Sequence, residues 1–167
     1  MKPEFSAEEI FTMAMQIEKN GAKFYRLASE GKLAQDPQVK KLLLDLSGME
    51  VQHEKVFTSM AKELTEQERA PMVFDQDDEL GMYLKAMADG RVVDTRTDPS
   101  EKLKGMKKLE DVFAFAIGLE KDSIVFYTGM KEVVPERMGK NRLDKIIREE
   151  IGHIAFLNRE INARIKK

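Results

Sequence analysis

Moved along by 102 residues, the first part of this 167-residue chain falls on the second: Phe11, Ala14, Glu18, Lys19, Phe24 and Tyr25 meet Phe113, Ala116, Glu120, Lys121, Phe126 and Tyr127. A shift of 100 places Lys40, Leu43, Glu50 and His53 on Lys140, Leu143, Glu150 and His153. In both parts the apolar residues recur at helical intervals of three and four, so the repeated unit is a pair of helices. Two such pairs bury their apolar stripes against each other about an approximate two-fold axis. This predicts an all-α four-helix bundle with the matched residues gathered at that axis.

The first helix is expected from Ser6 to about Glu30, with Ser6 as its cap and Gly31 as its stop, and with Ile10, Phe11, Ala14, Ile17, Phe24 and Leu27 on its apolar face. Asp36-Pro37 opens a second helix lasting to about Leu64, whose stripe includes Leu43, Leu46, Met49, Phe57 and Met60. A third runs from roughly Lys107 to Val133 with Val112, Phe113, Ala116, Leu119, Val125 and Phe126, ahead of Pro135. A fourth starts near Lys140 and carries Leu143, Ile146, Ile151, Ile154, Phe156, Leu157 and Ile161 almost to the last residue. The whole of 1–167 reads as one domain.

Residues 65–106 interrupt the repeat. A helix of about 25 residues is roughly 37 Å long, and an extended chain covers that in about 11 residues, so this second-to-third crossover has length to spare. Within it, Glu79 to Ala88 reads as a short amphipathic helix, preceded by the acidic run from Asp75 and ended by Asp89-Gly90. The surplus suits a crossover along the bundle with extra packing, including packing against a second subunit.

Composition removes several classes of function. Net charge is −2, too small for a broad field that would gather nucleic acid or an anionic membrane. No apolar stretch reaches membrane-spanning length, and Ser6-Ala7-Glu8-Glu9 reads as a helix start and not as a signal peptide; a soluble cytoplasmic protein is expected. With no cysteine, the chain has no disulfide framework, thiolate metal site or thiol redox couple of its own.

Its two histidines, His53 and His153, each stand three residues after a glutamate, Glu50 and Glu150. Residues three apart share a helix face, so each pair offers one carboxylate and one imidazole to the same point. Glu18 and Glu120 sit at matched positions inside apolar stripes, where an unpaired carboxylate is costly to bury. One Glu-x-x-His alone is commonly a solvated glutamate beside a packed histidine. Six such residues in matching repeats point to metal: four carboxylates neutralise two divalent cations, and imidazole with carboxylate suits iron better than calcium. Neither pair is His-Glu-x-x-His, so a zinc-protease reading has no support. Tyr25 and Tyr127 follow Glu18 and Glu120 by seven residues, two turns on the same face, from where each phenol is either core packing, or a hydrogen-bond donor to a ligand carboxylate on its own or the opposite helix, or a source of an electron. Met13, Met15 and Met49 read as core filler and not as copper ligands.

At these residues the chain resembles the ferritin-like superfamily, and within it the rubrerythrin-like proteins. Two glutamates from two helices, plus Glu-x-x-His from the other two, is the ligand set of ferritin-like di-iron and di-manganese bundles. The resemblance implies a carboxylate-bridged pair of iron ions, with manganese or a mixed pair accepted by the same ligands. It also implies reaction with peroxide or dioxygen, and a homodimer or larger assembly. Rubrerythrins usually carry a rubredoxin domain, for which this chain has neither length nor cysteines. They also tend to have a further glutamate three residues after the third-helix ligand, where this chain has Ser123; the matched position in the first helix is Gly21. Asp122 is turned too far round the helix to replace it. The six-residue set is thus closer to the symmetric site of bacterioferritin. The leading expectation is a di-iron oxidoreductase that reduces peroxide or dioxygen with electrons from a separate donor protein. The alternatives are a ferroxidase of iron storage and a binding or assembly protein with a structural metal.

Overall fold

The computed structural model describes residues 6–70, 79–88 and 98–165, and among them it is helical with no strand. In chain order the helices are α1 (Ala7–Glu30), α2 (Pro37–Lys62), α3 (Glu79–Ala88), α4 (Ser100–Leu103), α5 (Leu109–Met130) and α6 (Lys140–Ile165). Their boundaries have local causes. The Ser6 hydroxyl accepts from Glu9 N (3.1 Å) while the Glu9 carboxylate accepts from Ser6 N (2.8 Å), satisfying two donors that a helix start leaves unpaired. Asp36 accepts from Gln38 N at 2.8 Å, with Pro37 in the first helical position where its missing N–H costs nothing. Asp111 accepts from Lys108 N at 3.3 Å at the start of α5. Gly139 at φ 76° turns the chain out of a 3-10 turn, Glu136–Met138, into α6; that left-handed conformation favours glycine.

α1 packs along α2, and α5 along α6. Arg142 at the start of α6 meets the Glu63 carboxylate just past α2 (2.7 Å), and Arg137 donates to the Glu63 carbonyl (2.8 Å), so α2 and α6 lie side by side in opposite directions. α1 and α5 are antiparallel too, because Tyr25 on α1 reaches Glu120 on α5 and Tyr127 on α5 reaches Glu18 on α1. It follows that α2 and α5 run parallel and their connection must return the length of the bundle. It begins beside the α1 start, where Arg69 pairs with Glu8. It ends at α4, which packs on α1 next to a Lys23–Asp98 pair. Between these, Tyr83 of α3 donates to the Val125 carbonyl (2.8 Å) and fills the space left by Gly129, where a Cβ would come within 2.5 Å of the ring. The acidic run from Asp75 to Asp78 and the Asp89-Gly90 stop lie outside the described residues.

Two apolar clusters form the core. One contains Phe11, Phe57, Phe126, Tyr127 and Leu143, the other Phe24, Tyr25, Leu43, Phe113 and Leu157. The repeat exchanges them, since Phe11 matches Phe113 and Leu143 matches Leu43. Each fully buried Phe or Leu contributes roughly 1.5–3 kcal/mol, and these clusters enclose a polar layer from either end. Four residues expected in the core stripes are instead exposed: Met49, Val125, Ile151 and Phe156. Each neighbours a buried residue, Glu50, Phe126, Glu150 or Leu157, and a step of one residue turns a side chain about 100° around the helix, so consecutive residues cannot all face inward. Met13 and Met15 do pack against the core. No described helix is long and apolar enough to cross a membrane.

Candidate metal centre

The polar layer consists of the six residues singled out by the repeat. α1 supplies Glu18, α2 Glu50 and His53, α5 Glu120, and α6 Glu150 and His153, none more than 4% exposed. Both imidazoles turn Nδ1 inward. His53 Nδ1 lies 3.0 Å from Glu150, 3.2 Å from Glu50 and 3.5 Å from Glu18. His153 Nδ1 lies 2.9 Å from Glu150 and 3.5 Å from both Glu50 and Glu120. The donor atoms fall into two groups, Glu18, Glu50, His53 and Glu150, and Glu50, Glu120, Glu150 and His153, each with its atoms within 4.8 Å of one another. Glu50 and Glu150 belong to both groups, as residues bridging two ions would.

Whether metal fits this place is decided by the direction of the donors. Among the described residues, both Glu150 oxygens and His153 Nδ1 are buried with no hydrogen-bond partner, although Glu150 Oε2 stands 2.9 Å from His153 Nδ1. Atoms so close without hydrogen-bond geometry leave their lone pairs free for a shared point between them. A cation at that point satisfies them; left as they are, each costs about 1–3 kcal/mol. The donor set and the orphaned atoms therefore fit a pair of divalent ions.

Without metal the cluster balances its charge with protons. Burial pushes the Glu18 and Glu120 carboxyls well above their ordinary 4.5, against the opposing pull of the nearby His53 and His153 rings. Burial also acts upward on Glu150, but contacts with the two histidines outweigh it and hold this carboxyl down to about 2; Glu50 is lowered in the same manner. For His153, burial opposes the charge, yet contacts with Glu120, Glu150 and Glu50 push it up to about 12. Glu150, Glu18 and Glu50 raise His53 likewise. The surroundings thus favour the charged form of both imidazoles and of Glu50 and Glu150, and the neutral form of Glu18 and Glu120.

Tyr25 donates to Glu120 and Tyr127 to Glu18, each across to the opposite helix. Burial keeps both phenols protonated, so they remain donors and fix one oxygen of each outer glutamate. Beside them a cavity of about 330 Å³ reaches Glu18, Glu50 and Glu120, lined also by Gly21, Ser123, Phe115 and Leu119, with Lys102 and Asp122. Ser123 turns its hydroxyl back to the Leu119 carbonyl (3.0 Å), and a Cβ on Gly21 would come to 3.4 Å from Glu50 Cγ. These two small residues leave the space open. Asp122 lines the cavity without joining either donor group.

One residue of the site was not anticipated. Glu149 accepts from His53 Nε2 at 2.9 Å, on the side of the ring that faces away from the cluster. In the sequence it is merely the neighbour of Glu150, and its mate in the repeat is Met49, so neither motif nor repeat marks it.

An antiparallel four-helix bundle with a long crossover and a doubled carboxylate–histidine site is a ferritin-like bundle built for two metal ions. The rubrerythrin family model matches residues 9–161, and the chain belongs to that family. Its fold is similar to the crystal structure of a ferritin-like diiron-carboxylate protein from Thermotoga maritima, with a TM-score of 0.72 and 24% identity over 97% of this chain and 98% of that one. No curated protein sequence matches the chain.

Proposed function

We propose that this protein is a di-iron oxidoreductase that reduces hydrogen peroxide or dioxygen with electrons from a separate donor protein, working as a homodimer or larger assembly. The observation that carries the reading is the set of buried donors with unpartnered lone pairs, placed against a cavity wide enough for a small oxidant. Glu18 and His53 would hold one ion, Glu120 and His153 the other, and Glu50 and Glu150 both. A pair of iron ions held there supplies two electrons at one place, the number needed to take peroxide to water. The helices hold the donors in place before any ion arrives, Tyr25 and Tyr127 keep the outer glutamates aimed, and the apolar clusters exclude bulk water. A chain without cysteine carries no second iron–thiolate centre, so sustained turnover needs an external reductant.

A second reading takes ferrous iron itself as substrate. It is favoured by the six-residue set, since Ser123 puts no carboxylate one turn beyond Glu120. The two readings separate by the fate of the iron: a ferroxidase retains ferric mineral inside a hollow assembly, whereas a peroxide or dioxygen reductase keeps about two ions per chain through repeated turnover. The test is to load the protein with ferrous iron without oxygen, mix it rapidly with either oxidant, and then add a reductase. Oxidation well ahead of free ferrous iron, restored on each addition of reductant, supports the proposal. Oxidation no faster than that of free iron contradicts it.

A further inference from the structure

The two halves of the centre match in their six principal residues but not behind their histidines. His53 Nε2 donates to Glu149, 2.9 Å away. His153 Nε2 is buried and has no hydrogen-bond partner among the described residues. The repeat accounts for the difference: Glu149 precedes Glu150 on α6 and reaches α2, while the corresponding position before Glu50 on α2 is Met49, which has no oxygen to offer. Glu149 is free to serve His53, because its other neighbour, Lys145, is 3.9 Å away and mostly exposed.

We infer that the two metal positions are unequal, with Glu149 as the positioning residue that makes the His53 position the tighter one. This rests on the di-metal reading above. A carboxylate behind a ligating imidazole fixes the tautomer that leaves Nδ1 free, holds the ring in orientation and raises its basicity; losing such a partner typically costs 10–100-fold in metal affinity. When Nδ1 binds a cation, the Nε2 proton becomes more positive. Glu149 stabilises that proton at His53, and at His153 it is left in a buried place without an acceptor. The His53 position therefore fills first and the His153 position second, in spite of an otherwise symmetric ligand set.

The chain's two histidines make this readable one ring at a time. Zinc, which is diamagnetic and binds nitrogen and oxygen donors, is titrated into metal-free protein while the imidazole nitrogen resonances of His53 and His153 are followed by NMR. In the native protein the His53 signals should reach their bound position by one equivalent, with those of His153 following in the second, the two steps separated by about 10–100-fold in affinity. In the double variant Glu149→Met, Met49→Glu, which exchanges the two outer residues at partly exposed positions, the order should reverse. Equal progress of both rings in the native protein, or an unchanged order in the double variant, overturns the inference while leaving the di-metal reading in place. Failure of zinc to move either ring overturns both.

Discussion

Glu50 and Glu150 stand in both donor groups, whereas Glu18 with His53 and Glu120 with His153 each stand in one. Single substitutions should therefore not be equivalent. Glu50→Ala or Glu150→Ala should abolish retention of both ions, while Glu18→Ala should leave about one ion per chain, because the other group keeps all four donors; metal analysis after anaerobic loading reads the difference. Ser123→Glu makes a different kind of change. It puts a carboxylate into the open cavity beside Glu18, Glu50 and Glu120, and the ratio of peroxide to dioxygen oxidation rates, followed by stopped flow, should shift while metal stoichiometry holds. An unchanged ratio would place Ser123 off the reactive side. At this scale much is legible in the sequence, since two histidines at matched spacings mark the six residues that the fold gathers into one buried layer, and seven-residue spacing keeps Tyr25 and Tyr127 on the same faces as Glu18 and Glu120. Glu149 was illegible because its role depends on how α6 faces α2, which no local pattern records.

The long helices could be read to within a few residues because caps and prolines mark their ends: Ser6 and Asp36-Pro37 are signals in the sequence and boundaries in the structure, whereas α5 stops at Met130, ahead of Pro135. α4 and the 3-10 turn were not foreseen, as three or four residues are too few to show a period. Nor could the apolar stripes distinguish buried Phe126 from exposed Val125 beside it. The crossover helix α3 depends on a contact that can be tested. Gly129→Ala would drive a methyl group into the Tyr83 ring and break the bond from Tyr83 to the Val125 carbonyl, although alanine raises the helix propensity of α5 by about 1 kcal/mol. The global melting temperature should thus change little while amide exchange in Glu79–Ala88 accelerates. Unaltered exchange there would show that α3 docks without this contact.

For the whole molecule, the protonation of the centre sets the response to pH. His53 and His153 have folded pKa values above the unfolded 6.5, so the stability they contribute is full below that value and is lost as pH rises toward the folded ones. Glu18 and Glu120, raised above 4.5, act in the same direction. Glu50 and Glu150 are lowered, and their contribution disappears as pH falls below the unfolded value. Metal-free protein should therefore be most stable near about pH 4.5, lose stability as pH rises from there, and melt at lower temperature at about pH 8.5 than at about pH 6. Metal should oppose this trend, because ligands must be deprotonated to bind, so that binding displaces protons from the cluster and strengthens with pH. Calorimetry in buffers of different ionisation enthalpy counts those protons, and release of none would contradict the charge balance derived above.

Diffraction at the iron absorption edge, from crystals grown with ferrous iron in the absence of oxygen, checks the proposal that six buried side chains from four helices hold two metal ions. Two anomalous peaks per chain are expected, one among Glu18, Glu50, His53 and Glu150 and the other among Glu50, Glu120, Glu150 and His153. A single peak, or iron bound only away from these residues, would contradict it.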